Sequence, residues 1–123
     1  MSFKYFTDSE LRCSHCQQNR MDGYFMEKVE ALREELGFPF IVTSAYRCPK
    51  HPIEAPKKLS GAHSTGQAID LAVHGENAYK LVYGALRAGF TGIGVNQKGD
   101  SRFIHLDNIK SSERRPRPWV WSY

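Results

Sequence analysis

The sequence predicts an α+β fold, because two segments with helical spacing alternate with short β-branched segments and one β-hairpin pattern. The chain has 123 residues, of which 41% are hydrophobic and 24% are charged. This length allows one sizeable core but is too short for two. We therefore expect a single domain over residues 1–123.

Two helices are predicted where apolar residues recur every three or four positions. The first begins near Gly23, where Asp22 can cap it, and ends at Gly37. The second covers residues 76–87 and ends at Gly89. The expected inner residues are Phe25, Val29, Leu32 and Leu36 in the first helix, and Ala78, Leu81, Val82, Ala85 and Leu86 in the second.

Two strands are predicted on either side of a long loop. Residues 40–45 are rich in β-branched side chains and read as a buried strand. In residues 67–73 apolar side chains alternate, so that Asp70 faces away from the aliphatic side. The loop over residues 47–62 is longer than a plain connection needs, and we expect it to carry function.

A β-hairpin is predicted in the second half of the chain. Residues 92–95 and 102–107 are its strands, and residues 96–100 are its turn. Alternation along the second strand puts Phe103, His105 and Asp107 on one face.

The formal charge of +4 and the pI near 9.1 indicate an affinity for polyanions. Nucleic-acid binding needs a dense basic stripe with interleaved aromatics, whereas here only Arg114, Arg115 and Arg117 cluster, near Trp119 and Trp121. We expect a solvated basic tail that packs its tryptophans, and no specific nucleic-acid partner.

No apolar run approaches the roughly 18 residues that a membrane helix requires. The start of the sequence also has no apolar stretch after a basic segment. We therefore expect synthesis in the cytosol without a cleaved signal, and no membrane partner.

A first metal site is suggested by His63, Asp70 and His105. A catalytic zinc ion needs about three protein ligands of the His, Asp or Glu type and an open position for water. An Asp seven positions after a His is common by chance, so this spacing alone leaves ordinary histidines as the alternative.

The cysteines suggest a second, structural zinc site. Cys13, Cys16 and Cys48 are an odd number, which argues against a full disulfide framework. Together with His51 they have the ligand count and local spacing of a structural zinc site. The alternatives are reduced buried thiols, a Cys13 to Cys16 disulfide, or partial pairing with Cys48.

Three ordered motifs carry a family resemblance. They are residues 44–47 (SAYR), 61–70 (GAHSTGQAID) and 103–107 (FIHLD). Together they resemble the zinc D-alanyl-D-alanine peptidase family, which includes carboxypeptidases and the peptidase endolysins of bacteriophages. The resemblance extends from Tyr5 to Tyr123 and is nearest to the short phage-encoded branch.

The resemblance implies that His63, Asp70 and His105 are zinc ligands. It also implies a small antiparallel sheet flanked by helices, of the hedgehog and D-Ala-D-Ala-peptidase type. Arg47 is implied to bind a substrate carboxylate or carbonyl, which a guanidinium fork suits chemically. The alternative for Arg47 is a purely structural role after a strand.

Two residues are candidates for the general base. Hydrolysis needs a carboxylate to move a proton, and many family members carry an acid three positions before the last His ligand, where this sequence has Arg102. The candidates are Asp107 and Asp100. Asp107 has an alternative role, in which it accepts a hydrogen bond from a ligand histidine. Ser64 is a further candidate substrate contact, or it caps a turn.

We therefore expect a monomeric zinc peptidase that hydrolyses amide bonds in peptidoglycan stem peptides. The favoured form is an endopeptidase of the phage endolysin type that acts on the cell wall after holin-type release. A D-Ala-D-Ala carboxypeptidase is one alternative. The other is a non-catalytic binding module clipped by zinc at the cysteines.

Overall fold

One five-stranded sheet organises the computed structural model, which describes residues 3–123, so the first two residues of the predicted domain lie outside it. The strands are β1 (Ile41–Ser44), β2 (Ala68–Ala72), β3 (Gly92–Asn96), β4 (Phe103–Asp107) and β5 (Trp119–Ser122). Their order across the sheet is β1-β2-β4-β3-β5. Neighbouring strands are antiparallel, except that β3 and β5 are parallel. The predicted α+β fold and its hairpin, β3 with β4, are confirmed.

The helices begin and end where the capping residues predict. The helices are α1 (Asp8–Leu11), α2 (Gly23–Leu36) and α3 (Gly75–Ala88), with a 3₁₀ turn at Ala62–Thr65. The Asp22 side chain accepts a hydrogen bond from the backbone N–H of Phe25, and Gly37 and Gly89 end α2 and α3 with positive φ angles. The single turn α1 was not predicted. Among residues 3–123, no helix has the length and apolar character that crossing a bilayer requires.

The core lies on one face of the sheet, under α2 and α3. Ile69 and Leu71 on β2 and Ile104 and Leu106 on β4 are almost fully buried in one cluster with the apolar sides of both helices. Because successive side chains of a strand point to opposite faces, the residues between them point to the other face. The helices therefore leave that second face of the sheet free for polar side chains.

Two packing predictions are wrong. The strand predicted as buried is β1, which forms an edge of the sheet and leaves Ile41 60% exposed. Leu86 was assigned to the inner side of α3 but is 63% exposed, because the buried stripe of this helix runs through Ala78, Leu81 and Ala85. Both errors concern which partner covers an apolar side chain, and local spacing does not contain that information.

The C-terminal segment is a strand instead of a tail. The N–H of Trp119 donates to the carbonyl of Thr91, and residues 119–122 then pair with β3 along its length. Sequence analysis anticipated that the tryptophans would pack, but it did not predict this parallel pairing.

Candidate active site

The candidate site lies on one register position across the free face of the sheet. Asp70 on β2 is paired with His105 on β4, and His105 is paired with Gly94 on β3. His63 reaches them from the 3₁₀ turn just before β2. Asp70 Oδ1 is 2.9 Å from His105 Nδ1 and 3.3 Å from His63 Nε2. The structure thus brings together the three residues that the sequence singled out.

Hydrogen bonds orient both imidazole rings. His63 Nδ1 donates to the carbonyl of Ala45 over 2.8 Å, and His105 Nε2 donates to Asp107 Oδ2 over 2.7 Å. In a neutral imidazole only one nitrogen carries a proton, so His63 Nε2 and His105 Nδ1 keep their lone pairs. Both lone pairs face Asp70, which is the arrangement that a metal ligand needs.

The charges of the site favour a cation. Burial alone would raise the pKa of Asp70, but His105 and His63, when their rings are protonated, donate hydrogen bonds to its carboxylate and hold that pKa well below its usual range. Burial alone would lower the pKa of His105, whereas the carboxylates of Asp107 and Asp70 raise it. Both shifts indicate that positive charge is stabilised at the point where the side chains meet.

The donor set fits zinc. His63, Asp70 and His105 each offer one ligand atom, and these atoms lie within 4.8 Å of one another. Two lone pairs and a carboxylate oxygen aimed at one point repel one another unless a cation lies between them. Two imidazoles with one carboxylate match the ligand types of catalytic zinc centres, in which a fourth position stays open.

Asp107 lies behind His105. Its carboxylate is fully buried and accepts two hydrogen bonds from Arg117, from Nε over 3.0 Å and from Nη2 over 2.8 Å, beside the bond from His105. Gly92 leaves the room for it, since a Cβ there would be 2.2 Å from Asp107 Oδ1. This position suits the alternative role, in which Asp107 orients the His105 ring.

The other candidate base, Asp100, makes none of these contacts. Asp100 is exposed in the β3 to β4 turn, and within residues 3–123 no hydrogen bond or ion pair joins it to His63, Asp70 or His105. Arg102, which stands where many family members have an acid, has its Nε atom buried without a hydrogen-bond partner in the described part of the chain.

Arg47 and Asp70 line the same cleft, whose volume is about 460 Å³. Arg47 follows β1, and its N–H donates to the carbonyl of His63 over 3.2 Å. Its guanidinium Nη1 lies 3.6 Å from the carboxylate of Glu54. The Arg47 side chain therefore lies on the same cleft as the candidate metal ligand Asp70, and its guanidinium faces the carboxylate of Glu54.

Ser64 has a local structural contact. Its hydroxyl donates to the carbonyl of Arg47 over 2.7 Å, which ties the 3₁₀ turn to the start of the long loop. Thr65 donates to the carbonyl of Ala62 and accepts from the N–H of Gln67, so it caps the same turn. The turn-capping alternative therefore describes the contacts of both hydroxyl groups.

Sequence analysis missed Glu54, which organises the long loop. Its carboxylate is buried and accepts the N–H of Gly61 over 2.6 Å, while Lys57 and Arg47 lie 3.1 Å and 3.6 Å from it. A single acid within a stretch of prolines and lysines was the available signal, since a loop needs internal partners to be ordered.

The cover that Trp121 of β5 forms over His105 was also not predicted from the sequence. The Trp121 ring lies 5.1 Å from the His105 ring, centroid to centroid. Trp121 is paired with Gly94, and a Cβ at Gly94 would be only 2.7 Å from the indole nitrogen. The absence of a side chain at Gly94 therefore lets the indole cover the site.

The second predicted metal site forms in part. The sulfur atoms of Cys13, Cys16 and Cys48 lie within 4.8 Å of one another. Neither His51 nor His15 belongs to this group, and both ring nitrogens of His51 have other partners: Nδ1 accepts the N–H of Ile53 and Nε2 hydrogen-bonds Ser14. Burial raises the pKa of the Cys13 thiol, but backbone N–H donors, that of Cys48 above all, lower it to about 7.

The family model described as peptidase M15 matches residues 4–107. The chain belongs to the peptidase M15 family. No curated protein matches it. The M15 match covers His63, Asp70 and His105 and confirms the resemblance drawn from the three motifs. Membership in M15 supports a zinc metallopeptidase whose substrate is peptidoglycan.

Proposed function

We propose that this M15-family chain is a zinc endopeptidase of the phage endolysin type that hydrolyses amide bonds in peptidoglycan stem peptides. The observation that carries the proposal is the convergence of His63 Nε2, Asp70 Oδ1 and His105 Nδ1 beside a cleft. His63, Asp70 and His105 would hold the ion. Zinc bound there would lower the pKa of a water molecule to about 7 and polarise a carbonyl group.

The remaining steps belong to the chain's own residues. The carbonyl of Ala45 accepts a hydrogen bond from His63 Nδ1, and the carboxylate of Asp107 accepts one from His105 Nε2. In each ring the proton therefore stays on that nitrogen, and the opposite nitrogen keeps its lone pair for the metal. Arg117 keeps Asp107 ionised and in place. Trp121 excludes water from one side of His105. We assign Asp107 to this orienting role and do not assign it as the base.

Arg47 can serve an endopeptidase or a carboxypeptidase. A carboxypeptidase must bind the free carboxylate at the end of its substrate, which needs an uncompensated positive charge. Arg47 shares the buried Glu54 carboxylate with Lys57, so these three side chains keep one net positive charge. A guanidinium there suits either a terminal carboxylate or a neutral peptide carbonyl, and the cleavage products distinguish the two activities.

The route to the wall forms part of the proposal. We propose that the chain is made in the cytosol, acts as a monomer, and reaches peptidoglycan after a holin-type protein opens the membrane. The net charge of +4 supports retention on the acidic wall polymer.

The test compares His63→Ala with His74→Ala. His74 is exposed and its side chain makes no capping hydrogen bond, so it is a matched control. We expect His63→Ala to lose one equivalent of zinc per chain and all release of peptides from purified peptidoglycan, with the control unchanged. A folded His63→Ala protein that still hydrolyses peptidoglycan would refute the zinc peptidase.

Defined muropeptides separate the finer alternatives. Cleavage within a stem peptide or cross-bridge supports the endopeptidase. Release of only the terminal D-alanine would establish the carboxypeptidase instead. Binding of peptidoglycan without hydrolysis, unchanged in His63→Ala, would establish the non-catalytic binding module.

A further inference from the structure

Three thiols converge at a point separate from the candidate active site. Cys13 and Cys16 lie in the turn that follows α1, and Cys48 lies in the long loop after β1. Cys13 and Cys48 are buried, Cys16 is half-buried, and all three are free thiols. Three sulfur atoms within 4.8 Å of one another are one too many for a disulfide, whereas soft metal ions prefer such a group.

The backbone around Cys13 is arranged to stabilise a thiolate. Its sulfur accepts the N–H of His15 over 3.4 Å and the N–H of Cys48 over 3.3 Å. The turn is closed by hydrogen bonds between Cys13 and the backbone of Gln17 and Gln18. Gln17 has a φ of +62°, a left-handed backbone conformation that is strained for a residue other than glycine. The turn accepts this strain and points N–H groups at the sulfur.

His15 supplies a fourth donor through its contact with Cys48, although its nitrogens do not lie within 4.8 Å of all three sulfur atoms. Its Nδ1 lies 3.5 Å from the sulfur of Cys48. In a tetrahedral site with Zn–S near 2.3 Å and Zn–N near 2.0 Å, the sulfur-to-nitrogen edge is about 3.5 Å and the sulfur-to-sulfur edge is about 3.8 Å. The His15 to Cys48 distance already matches this edge. His51 cannot compete, because both of its ring nitrogens have other partners.

We propose that Cys13, Cys16, Cys48 and His15 bind a structural zinc ion that is distinct from the ion held at His63, Asp70 and His105. Four protein ligands close the coordination sphere, so this site holds no water and performs no hydrolysis.

The proposed structural zinc ion would stabilise one side of the candidate active-site cleft. Cys48 directly follows Arg47, and the N–H of Tyr46 donates to the carbonyl of Leu11. Tyr46 also packs on the buried thiols. A metal that joins the turn after α1 to Cys48 therefore holds the strand end that carries Arg47, and with it one side of the cleft lined by Tyr46, Arg47 and Asp70.

Cobalt substitution tests this proposal with the full chain. The His63→Ala background removes the other site, and the reduced, metal-free protein is then titrated with Co²⁺. We expect the strong near-ultraviolet charge-transfer absorption of cobalt bound to thiolates, which a site of His and Asp ligands does not give. Adding His15→Ala should weaken Co²⁺ binding by at least about tenfold. Adding His51→Ala, the matched control, should leave the ligand set and the spectrum unchanged.

Each other outcome overturns part of the proposal. Absence of a thiolate-to-cobalt band, in a protein shown by circular dichroism to be folded, removes the site. Retention of full affinity in His15→Ala, with loss in His51→Ala, replaces His15 by His51. Resistance of Cys13 and Cys16 to alkylation, relieved by reductant and not by a chelator, identifies a disulfide instead. None of these outcomes alters the test at His63, because peptidoglycan hydrolysis is not the readout.

Discussion

Replacing Asp107 by Asn removes one buried charge and keeps the shape of the side chain. In the wild type, the Asp107 carboxylate accepts four N–H groups: one from His105 over 2.7 Å, two from Arg117 over 2.8 Å and 3.0 Å, and the backbone N–H of Ile109 over 3.4 Å. An asparagine offers only one oxygen, so its NH₂ group must face one of these donors. The variant therefore leaves a donor unpaired and leaves the Arg117 guanidinium without its counter-charge.

The size of the effect follows from this burial. The side chains of Asp107 and Arg117 are 0% and 8% exposed, and breaking such a pair costs about 3–5 kcal/mol of unfolding free energy. Loss of the partner that orients a ligand histidine weakens metal binding by about 10–100-fold. We expect kcat at saturating zinc to change by less than about tenfold, because Asp107 acts through His105. Urea unfolding and the zinc concentration that half-restores hydrolysis after chelation measure these quantities.

Asp100→Asn is the control, and it tests the other candidate base at the same time. Asp100 is exposed, so we expect this variant to match the wild type in both assays. The reasoning is refuted if Asp107→Asn keeps its zinc requirement unchanged while kcat falls by about 10²–10⁴-fold, the loss typical of a general base. If Asp107→Asn does not fold, Arg117→Lys keeps the charges and removes the bidentate contact, and we expect a smaller loss of zinc affinity.

Glu54→Gln should lower the unfolding free energy by about 1.5–3 kcal/mol and raise KM more than it lowers kcat, because Glu54 holds the loop beside Arg47. The exposed Glu113→Gln is its control, and equal KM values in the two variants would contradict this role. Asp107 should also make the unfolding free energy depend on pH. Burial opposes ionisation of its carboxyl group, but His105 and Arg117 lower the Asp107 pKa to about 2. Since this lies below the unfolded value of about 3.9, the contribution of Asp107, about 3 kcal/mol, is present above pH 4 and lost as the pH falls towards 2. Denaturant midpoints between pH 5 and pH 2.5 measure it, and an equally large acid loss in Asp107→Asn would contradict the assignment.

Local patterns were sufficient for most elements of the fold. Capping by Asp22 and the glycines after α2 and α3 depend on neighbours within one helical turn, so the sequence contains them directly. The same holds for the strand faces, because the alternation of side chains has a period of two. Asp70 and His105 could therefore be assigned to the face away from the aliphatic side chains before their pairing was known.

Contacts between segments that are distant in the sequence could not be predicted from these local patterns. Burial of β1 depended on whether a strand would cover its outer edge, and none does among residues 3–123. The pairing of β5 with β3 depended on the return of the chain after Asp107. The orienting role that we propose for Asp107 depends on the same return of the chain, since Arg117 is ten positions away and reaches Asp107 only through it.

The sequence by itself determined which residue types could hold metal, because His63, Asp70, His105 and the cysteines are the donors that zinc accepts. It also determined the strand periodicity that turns Asp70 and His105 to one side. Only the tertiary structure decided which nitrogen of His63 is available, since the partner on the opposite nitrogen is the carbonyl of Ala45, which lies 18 positions earlier in the chain. For His105 the partner is Asp107 on the same strand, which the strand periodicity already places on the same face. The proposed choice of His15 over His51 likewise rests on tertiary contacts: spacing along the chain allows both, whereas the fold brings His15 Nδ1 to 3.5 Å from the Cys48 sulfur and gives both nitrogens of His51 other partners.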